Sequence, residues 1–321
     1  GSKHSHAEGK LSAILSNPDT EFVGVFEPDL QQREFLQTLD GPYGEVSYLS
    51  DINEILQDDS ITLVTSEGRN IESLDQTEQL VNAGKHVWFD KPAGDNWPQW
   101  QNIIANAQRQ STFVQVGYMF RYHGGFKLMT EWANSGFLGD IFGIRAHMSK
   151  NWPEAARKIV GEHLGGVFYD LGSHMLDQIV WVLGRPSKVT SFLRNDTGIA
   201  PEFMDNTLGV FEYDNAMAIV DLASMEAEPI ARRFEIHGTK GSAILEPMEP
   251  PKTLKLILSD ASGEYQSGEN IVSLPTQTRE DLYVLELESL LKTMNGTRPP
   301  DRSYDHELIV QETLLRGTGR I

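Results

Sequence analysis

Residues 85–94 read Lys-His-Val-Trp-Phe-Asp-Lys-Pro-Ala-Gly. Val87-Trp88-Phe89 is a short apolar run with turn-forming residues directly behind it, the pattern of a buried strand that ends in a loop. Ahead of it, residues 71–83 have helical length and are closed by Gly84; behind it, residues 96–109 make a second helix-length segment. Ile61-Thr62-Leu63-Val64-Thr65 and Phe113-Val114-Gln115-Val116-Gly117 repeat the strand pattern on either side. Toward the N-terminus the spacing predicts a helix over 7–16, a strand over 21–26 and a helix over 30–39. A strand at Val46-Ser47-Tyr48 and a helix near 51–57 follow. Strands alternating with helices in this way predict an α/β, Rossmann-like, doubly wound parallel sheet.

In such a sheet an acid at the end of the second strand binds the ribose hydroxyls of a dinucleotide. Glu27 occupies that place. Pro28, Asp29 and Leu30 follow it, so no Arg stands there to receive a 2′-phosphate, which favours NAD over NADP. The glycine fingerprint usual at the first strand-to-helix turn is not seen: the chain opens Gly1-Ser2-Lys3-His4-Ser5-His6 directly before the first helix. The expectation is that the central first strand is missing from this sequence, with about ten further residues upstream, or that the phosphate loop is shortened. His4 and Ser5 then lie at the helix N-terminus, where a pyrophosphate is held, and are expected to bind the cofactor.

A second informative stretch is residues 165–177, Gly-Gly-Val-Phe-Tyr-Asp-Leu-Gly-Ser-His-Met-Leu-Asp. It continues through Ile179–Leu183 and stops at Gly184, which is a helix-like ending. Asp170 and His174 stand four apart and share one face of that helix. A carboxylate and an imidazole so placed can act on one substrate atom, or the carboxylate can orient the imidazole.

Composition bounds the function. The 321 residues are enough for two domains, and 39% are apolar, enough for packed cores. Lys plus Arg number 27 against 46 Asp plus Glu, a net charge of −19 that repels phosphate backbones and argues against nucleic acid as a partner. With no cysteine, disulfides and thiolate metal sites are excluded. The histidines lack metal-ligand spacing, so no metal is expected. No apolar run approaches the roughly 20 residues that span a bilayer, and a signal-peptide core is not seen, so a cytoplasmic location is the default expectation.

From Ile141 the pattern changes to alternating strands: 142–148, 188–192, 207–213, 216–221, 233–237, 243–245 and 254–258. Asp214-Asn215 marks a hairpin. Residues 150–164 read as a polar loop. Helices are expected over 279–293 and about 304–315. The expected division is a dinucleotide-binding domain over 1–120 and an α+β domain with a large, mainly antiparallel sheet over 121–321.

Phe89-Asp90-Lys91-Pro92-Ala93-Gly94 resembles the Glu-Lys-Pro motif of the glucose–fructose oxidoreductase and inositol dehydrogenase (Gfo/Idh/MocA) family. The resemblance extends through Ala83–Val87, Gly117–Tyr122, Gly136–Ile141 and Gly238–Ser242. Gly165–Asp177 is similar to the family's Gly-Gly…Asp-x-Gly-x-His-x-x-Asp segment. Asp90 stands where the family has Glu, one methylene shorter. The resemblance implies a nicotinamide-dependent oxidoreductase acting on a sugar, cyclitol or related polyol, working as a homodimer or homotetramer. It implies Lys91, Asp170 and His174 as the catalytic trio, with Lys91 and Pro92 also against the cofactor, and a cis Lys91–Pro92 bond. Imidazole suits removal of a hydroxyl proton near neutral pH, and an ammonium can stabilise the developing alkoxide. Tyr118, Arg121, Tyr122, Trp152, Arg157 and His163 are the expected substrate contacts. Two alternatives stay open: glycoside cleavage assisted by a retained NAD, and a dinucleotide-sensing regulator without catalysis.

Overall fold

A computed structural model describes residues 1–321. The chain divides into two compact units, Gly1–Met119 with Arg279–Tyr304, and Phe120–Thr278 with Asp305–Ile321. The expected single break at residue 120 therefore needs a correction. The helix expected over 279–293 belongs to the first unit, because its apolar face packs on the chain's first helix.

In the first unit, α1 (Ala7–Ser16) is followed by α2 (Leu30–Leu36) and the single turns α3 (Pro42–Glu45) and α4 (Asn53–Leu56). Then β1 (Leu63–Ser66), α5 (Asn70–Asn82), β2 (His86–Phe89), α6 (Trp97–Gln110) and β3 (Val114–Val116) alternate as read from the sequence. The strands form one parallel sheet in the order β1-β2-β3. Val87, Trp88 and Phe89 are fully buried, as a strand covered by helices on both faces must be. Asn96 caps α6, its side chain accepting from the Gln99 amide, with Pro98 in the first turn.

The expected strands at 21–26 and 46–48 are reduced to one parallel bridge, Val25 to Tyr48. Two bonds hold it, Val25 N–H to Ser47 O at 2.9 Å and Leu49 N–H to Val25 O at 2.8 Å. The residues have strand character, but Val25 has a neighbouring strand on one side only.

The second unit opens with a short 3-10 turn (Met119–Tyr122, its first residue still in the first unit) and α7 (Gly124–Asn134), a helix not expected from the sequence. His123 caps it, Nδ1 accepting from the Gly125 and Phe126 amides, a role usually taken by Ser, Thr, Asp or Asn. β4 (Ile141–His147), α8 (Glu154–Val160), α9 (Val167–Leu183), β5 (Lys188–Arg194), β6 (Asn206–Glu212) and β7 (Met217–Ala223) come next. β8 (Arg233–Gly238), β9 (Gly241–Leu245), β10 (Thr253–Leu258) and the unexpected β11 (Gly268–Ser273) complete an eight-stranded sheet ordered β11-β10-β9-β8-β4-β7-β6-β5. Every pairing is antiparallel except β4 with β7. Alternation along the strands puts Ile144, Ala146, Phe211, Ala218, Val220 and Leu222 on the face that α7 and α9 cover. Residues 154–160, read as loop, are helical. The last two helices are α10 (Arg279–Met294), in the first unit, and α11 (Tyr304–Gly317). No helix is long and apolar enough to cross a membrane.

α10 closes the first unit through Leu282, Tyr283, Leu287 and Leu290, all buried. Its approach to α1 depends on Gly9, where a Cβ would stand 2.5 Å from the Tyr283 ring.

Candidate active site

Lys91 lies just past the carboxyl end of β2, where parallel α/β sheets bind ligands, and the Lys91–Pro92 bond is cis. Its backbone amide donates to Asp90 Oδ1 at 2.6 Å, so Asp90 fixes the turn that carries Lys91. Asp90 in turn sits in a buried charge cluster that sequence spacing did not reveal. Lys10, on the inner face of α1 and fully buried, places Nζ 2.7 Å from Glu67 Oε1 and 3.0 Å from Asp90 Oδ2. His6 Nδ1 lies 3.2 Å from both Asp90 oxygens, and His4 Nδ1 lies 3.0 Å from Oδ2.

The charges in this cluster are set by competition between burial and neighbours. Burial alone would raise Asp90, but His4, Lys10 and His6 hold it well below the usual carboxylate range. Burial and then Asp90 push Glu67 the other way, well above its usual value. Burial lowers His6 to about 4 despite the Asp90 carboxylate beside it, so the imidazole is neutral at pH 7. Asp90 and Lys10 thus form an ion pair, and Glu67, also against Lys10, is the carboxyl whose proton affinity burial and Asp90 raise. His4, His6 and Asp90 offer three metal-type ligand atoms within 4.8 Å of one another. The Lys10 ammonium already supplies the positive charge on Asp90 that a cation there would bring.

Glu286, on α10 and fully buried, is pushed up to about 7 by burial, with Lys10 and Arg302 opposing. A carboxyl whose folded value is raised binds its proton more tightly when folded, so it costs stability as pH rises from 4.5 to about 7. His6, lowered to about 4, acts in the opposite sense, losing stability as pH falls below 6.5. Glu286→Gln isolates the first effect. Its stability relative to wild type is expected to rise by up to about 3 kcal/mol between pH 4.5 and 8. Urea midpoints at the two pH values measure this, and a pH-independent difference contradicts it.

Glu27 is buried at the end of the Val25 segment. Oε2 accepts from Ser2 N–H at 2.8 Å and Ser2 Oγ at 2.7 Å, and Oε1 accepts from Asp29 N–H at 3.0 Å. The carboxylate therefore binds two backbone amides and a hydroxyl, as one positioned for ribose hydroxyls does. No side chain caps α1 at His6; the Ala7 amide donates to His4 O at 3.1 Å, and the helix N-terminus carries the partial positive charge that suits a pyrophosphate. These two features fit a dinucleotide. Of the expected cofactor residues, Ser5 is exposed, whereas His4 turns its ring toward Asp90.

In the second unit, α9 carries Asp170 and His174 on one face, as their spacing predicts. Every residue from Val167 to Val180 is buried except Asp170, which is half-exposed, while His174 keeps 4% of its surface. The His174 ring packs 5.0 Å from that of Phe120. Two glycines allow the helix to start here. Gly165 and Gly166 both have positive φ, and a Cβ on Gly166 would lie 2.4 Å from Met204 O and 2.5 Å from Met204 N. The same close approach lets Val167 N–H donate to Met204 O at 2.9 Å. Gly166→Ala is expected to destabilise the protein by about 2 kcal/mol or more, since both the backbone conformation and the packing oppose it. Thermal or urea unfolding checks this, and a change under about 0.5 kcal/mol contradicts it.

The expected substrate contacts divide. Arg157 is turned inward: Nε donates to Trp152 O at 2.9 Å, Nη1 to Thr197 Oγ1 at 2.8 Å and Nη2 to Ser224 O at 2.9 Å. Its guanidinium ties α8 to the neighbouring loops, so the expectation that it meets substrate hydroxyls is corrected. Arg121 is likewise committed, with Nε donating to Asp177 Oδ1 at 2.9 Å and the guanidinium over the Trp181 ring at 4.2 Å. Asp177, the last residue of the 165–177 stretch, is fully buried and also lies 2.8 Å from His306 Nε2. The motif pointed at Asp177, but only the fold reveals that its work is to anchor Arg121. Trp152 is buried beside Phe203, His163 stacks on Tyr169 at 4.4 Å, Tyr122 is half-buried, and Tyr118, in the first unit, packs under Arg302.

Compared with known proteins, residues 5–118 match an oxidoreductase family with an NAD-binding Rossmann fold, and residues 126–244 match the GFO/IDH/MocA C-terminal domain. The chain is 29% identical to the uncharacterized oxidoreductase YhhX of Escherichia coli over 206 residues, 63% of this chain and 58% of that protein. It is 25% identical to trans-1,2-dihydrobenzene-1,2-diol dehydrogenase of Bos taurus over 246 residues, 75% of this chain and 71% of the relative. It spans only 59% of the uncharacterized oxidoreductase C26H5.09c of Schizosaccharomyces pombe, so it matches roughly three fifths of some of these relatives. Among solved structures, GenD2 from gentamicin A biosynthesis in complex with NAD superposes with a TM-score of 0.80 at 19% identity, covering 99% of this chain and 92% of that one. An NAD binding oxidoreductase from Klebsiella pneumoniae gives 0.82 at 19% identity, covering 98% and 93%. At that identity the two structures establish the fold. Both halves of the chain are matched in order, and the protein belongs to the GFO/IDH/MocA family of oxidoreductases, with an NAD-binding Rossmann domain as its first half.

Proposed function

We propose that the protein transfers hydride between NAD and a secondary alcohol or ketone of a sugar, cyclitol or related polyol. The observation that carries this reading is Lys91: a buried lysine at the carboxyl end of a parallel strand, its backbone pinned by Asp90, in a domain of NAD-binding type. The nicotinamide, when bound, supplies the two-electron acceptor. The chain's own residues handle the oxygen and its proton. Lys91 donates a hydrogen bond to the reacting oxygen and offsets the charge that develops as the hydroxyl proton leaves. His174 accepts that proton during oxidation and returns it during reduction. Asp170, half-exposed one turn earlier on α9, binds an adjacent substrate hydroxyl. The similarity to a diol dehydrogenase supports a substrate with neighbouring hydroxyls.

NAD is preferred to NADP in this reading, because the Glu27 carboxylate would repel a 2′-phosphate. The test is a panel of cyclitols, aldoses and sugar acids offered with NAD and with NADP, followed at the reduced-nicotinamide absorbance. Accumulation of NADH with a polyol supports the reading. Substrate consumption with the cofactor returning to its starting state would assign redox-neutral bond cleavage instead. Binding of NAD with no turnover on any member of the panel would favour a sensor.

A further inference from the structure

Two segments of the first unit meet at Glu27, and a lysine lies where they touch. The Ser2 amide and hydroxyl both donate to Glu27 Oε2, and the Asp29 amide donates to Oε1. These bonds hold residues 2 and 3 beside residues 27–29. Lys3 then places Nζ 2.5 Å from Asp29 Oδ2. The other Asp29 oxygen has separate work: Oδ1 accepts from the Gln31 and Gln32 amides at 3.0 and 3.3 Å and caps α2. The two carboxylates differ in access. Glu27 is buried at 3% exposure, whereas the Lys3 and Asp29 side chains keep 30% and 41% of their surface.

A dinucleotide with its ribose at Glu27 brings its 2′ oxygen to this corner. NADP carries a negatively charged phosphate on that oxygen and needs a cation there, with few competing anions. The corner offers the reverse balance. Glu27 and Asp29 each bring a negative charge, Glu72 on the first turn of α5 adds its field at Lys3, and the Lys3 ammonium is bound to Asp29. Arg33 donates to Leu49 O at 3.3 Å with its guanidinium 5.3 Å from the centre of the Tyr48 ring, and Arg69 lies 3.7 Å from Glu72. The Asp29 hydrogen bond raises the proton affinity of Lys3, and Lys3 lowers that of Asp29, so both are charged at neutral pH. The pair is nonetheless exposed, and exposed pairs hold weakly and yield to competing ions. The long flexible stem of a lysine lets its ammonium exchange one partner for another.

We propose that Asp29 is a second gate on cofactor choice: it holds the Lys3 ammonium off the ribose 2′ position, and Lys3 released from it is a ligand for a 2′-phosphate. Glu27 excludes the phosphate by repulsion, and Asp29 by withholding the lysine that could receive it. This assignment rests on Glu27 binding the ribose of NAD, as proposed above.

Asp29→Asn tests it, because Asn caps a helix as well as Asp does and the change removes only the charge. Dissociation constants for NADH and NADPH are read from nucleotide fluorescence in the full chain, without substrate. In Asp29→Asn, NADPH binds about tenfold more tightly than in wild type, the size of one charge-assisted contact, while NADH stays within about twofold. Adding Lys3→Ala to Asp29→Asn abolishes most of the gain, and raising the salt to about 0.5 M shrinks it. A gain that survives Lys3→Ala in full assigns the effect to lost repulsion by Asp29 and overturns the role of Lys3. Equal tightening of both nucleotides, or no change in NADPH affinity, overturns the proposal outright. Wild type that binds neither nucleotide removes the assignment of Glu27 to the ribose and this proposal with it. Wild type that binds NADH but turns over no polyol removes only the reaction proposed above, and the NADPH comparison still decides the role of Asp29.

Discussion

His174→Ala lowers kcat for the oxidation of the best polyol by about 10²–10⁴-fold, the range a positioned proton acceptor contributes. The dissociation constant for NAD stays within a factor of two or so, because the change lies outside the Rossmann domain. The physical reason lies in α9. His174 is buried to 4% exposure beside Phe120, on a helix whose start is fixed by the Gly165-Gly166 turn, so its imidazole is held with little rotational freedom. The measurement is a steady-state comparison across roughly pH 6 to 10. The variant regains rate when an external imidazole buffer is added, whereas wild type gains nothing from it. A variant within threefold of wild type at every pH would remove His174 from the mechanism.

Lys10→Met destabilises the first unit by about 3–5 kcal/mol, the usual result of removing one member of a buried ion pair. Lys10 is fully buried with Nζ 4.7 Å from the centre of the Trp88 ring, and Met fills a similar volume, so lost packing contributes little. What remains is Asp90 without its ammonium, next to Glu67. The rest of the effect reaches the active loop, since Asp90 Oδ1 also receives the Lys91 amide. A lower kcat at temperatures where the variant is fully folded is therefore expected together with the lower midpoint. Adding Asp90→Asn to Lys10→Met recovers part of the stability but not the activity. A Lys10→Met protein within about 1 kcal/mol of wild type would show that the pair does not hold the loop.

Most of the fold was legible because its signals are local. The helices over 7–16, 71–83 and 96–109 and the strands around Val64, Val87 and Gln115 fall within a residue or two of where apolar runs, Gly84 and the Asn96 cap place them. The strands at 21–26 and 46–48 were legible as residues but not as a sheet, since a strand needs partners on its flanks and these have one bridge. The short α8 was missed because seven residues carry too little periodicity to separate a helix from a polar loop. Arg157 was misjudged because a charged residue in a polar stretch reads as exposed. Only the packed structure reveals three backbone and hydroxyl acceptors turned toward it.

The site divides in the same way. Asp170 and His174 could be paired from the chain because four residues on a helix set them on one face, whereas Lys91 and the roles of all three came from motifs that resemble those of a known family. The cluster of Lys10, Glu67, Asp90 and the two histidines joins residues up to 86 positions apart, from 4 to 90. No periodicity connects them, and their charge states follow from burial, which a sequence does not display. The same holds for Asp177 and Arg121. Residue order determined which elements form and which side chains are candidates for the chemistry. Tertiary packing decided which charges are neutralised and which arginines are structural, because each of those depends on what distant parts of the chain exclude from water.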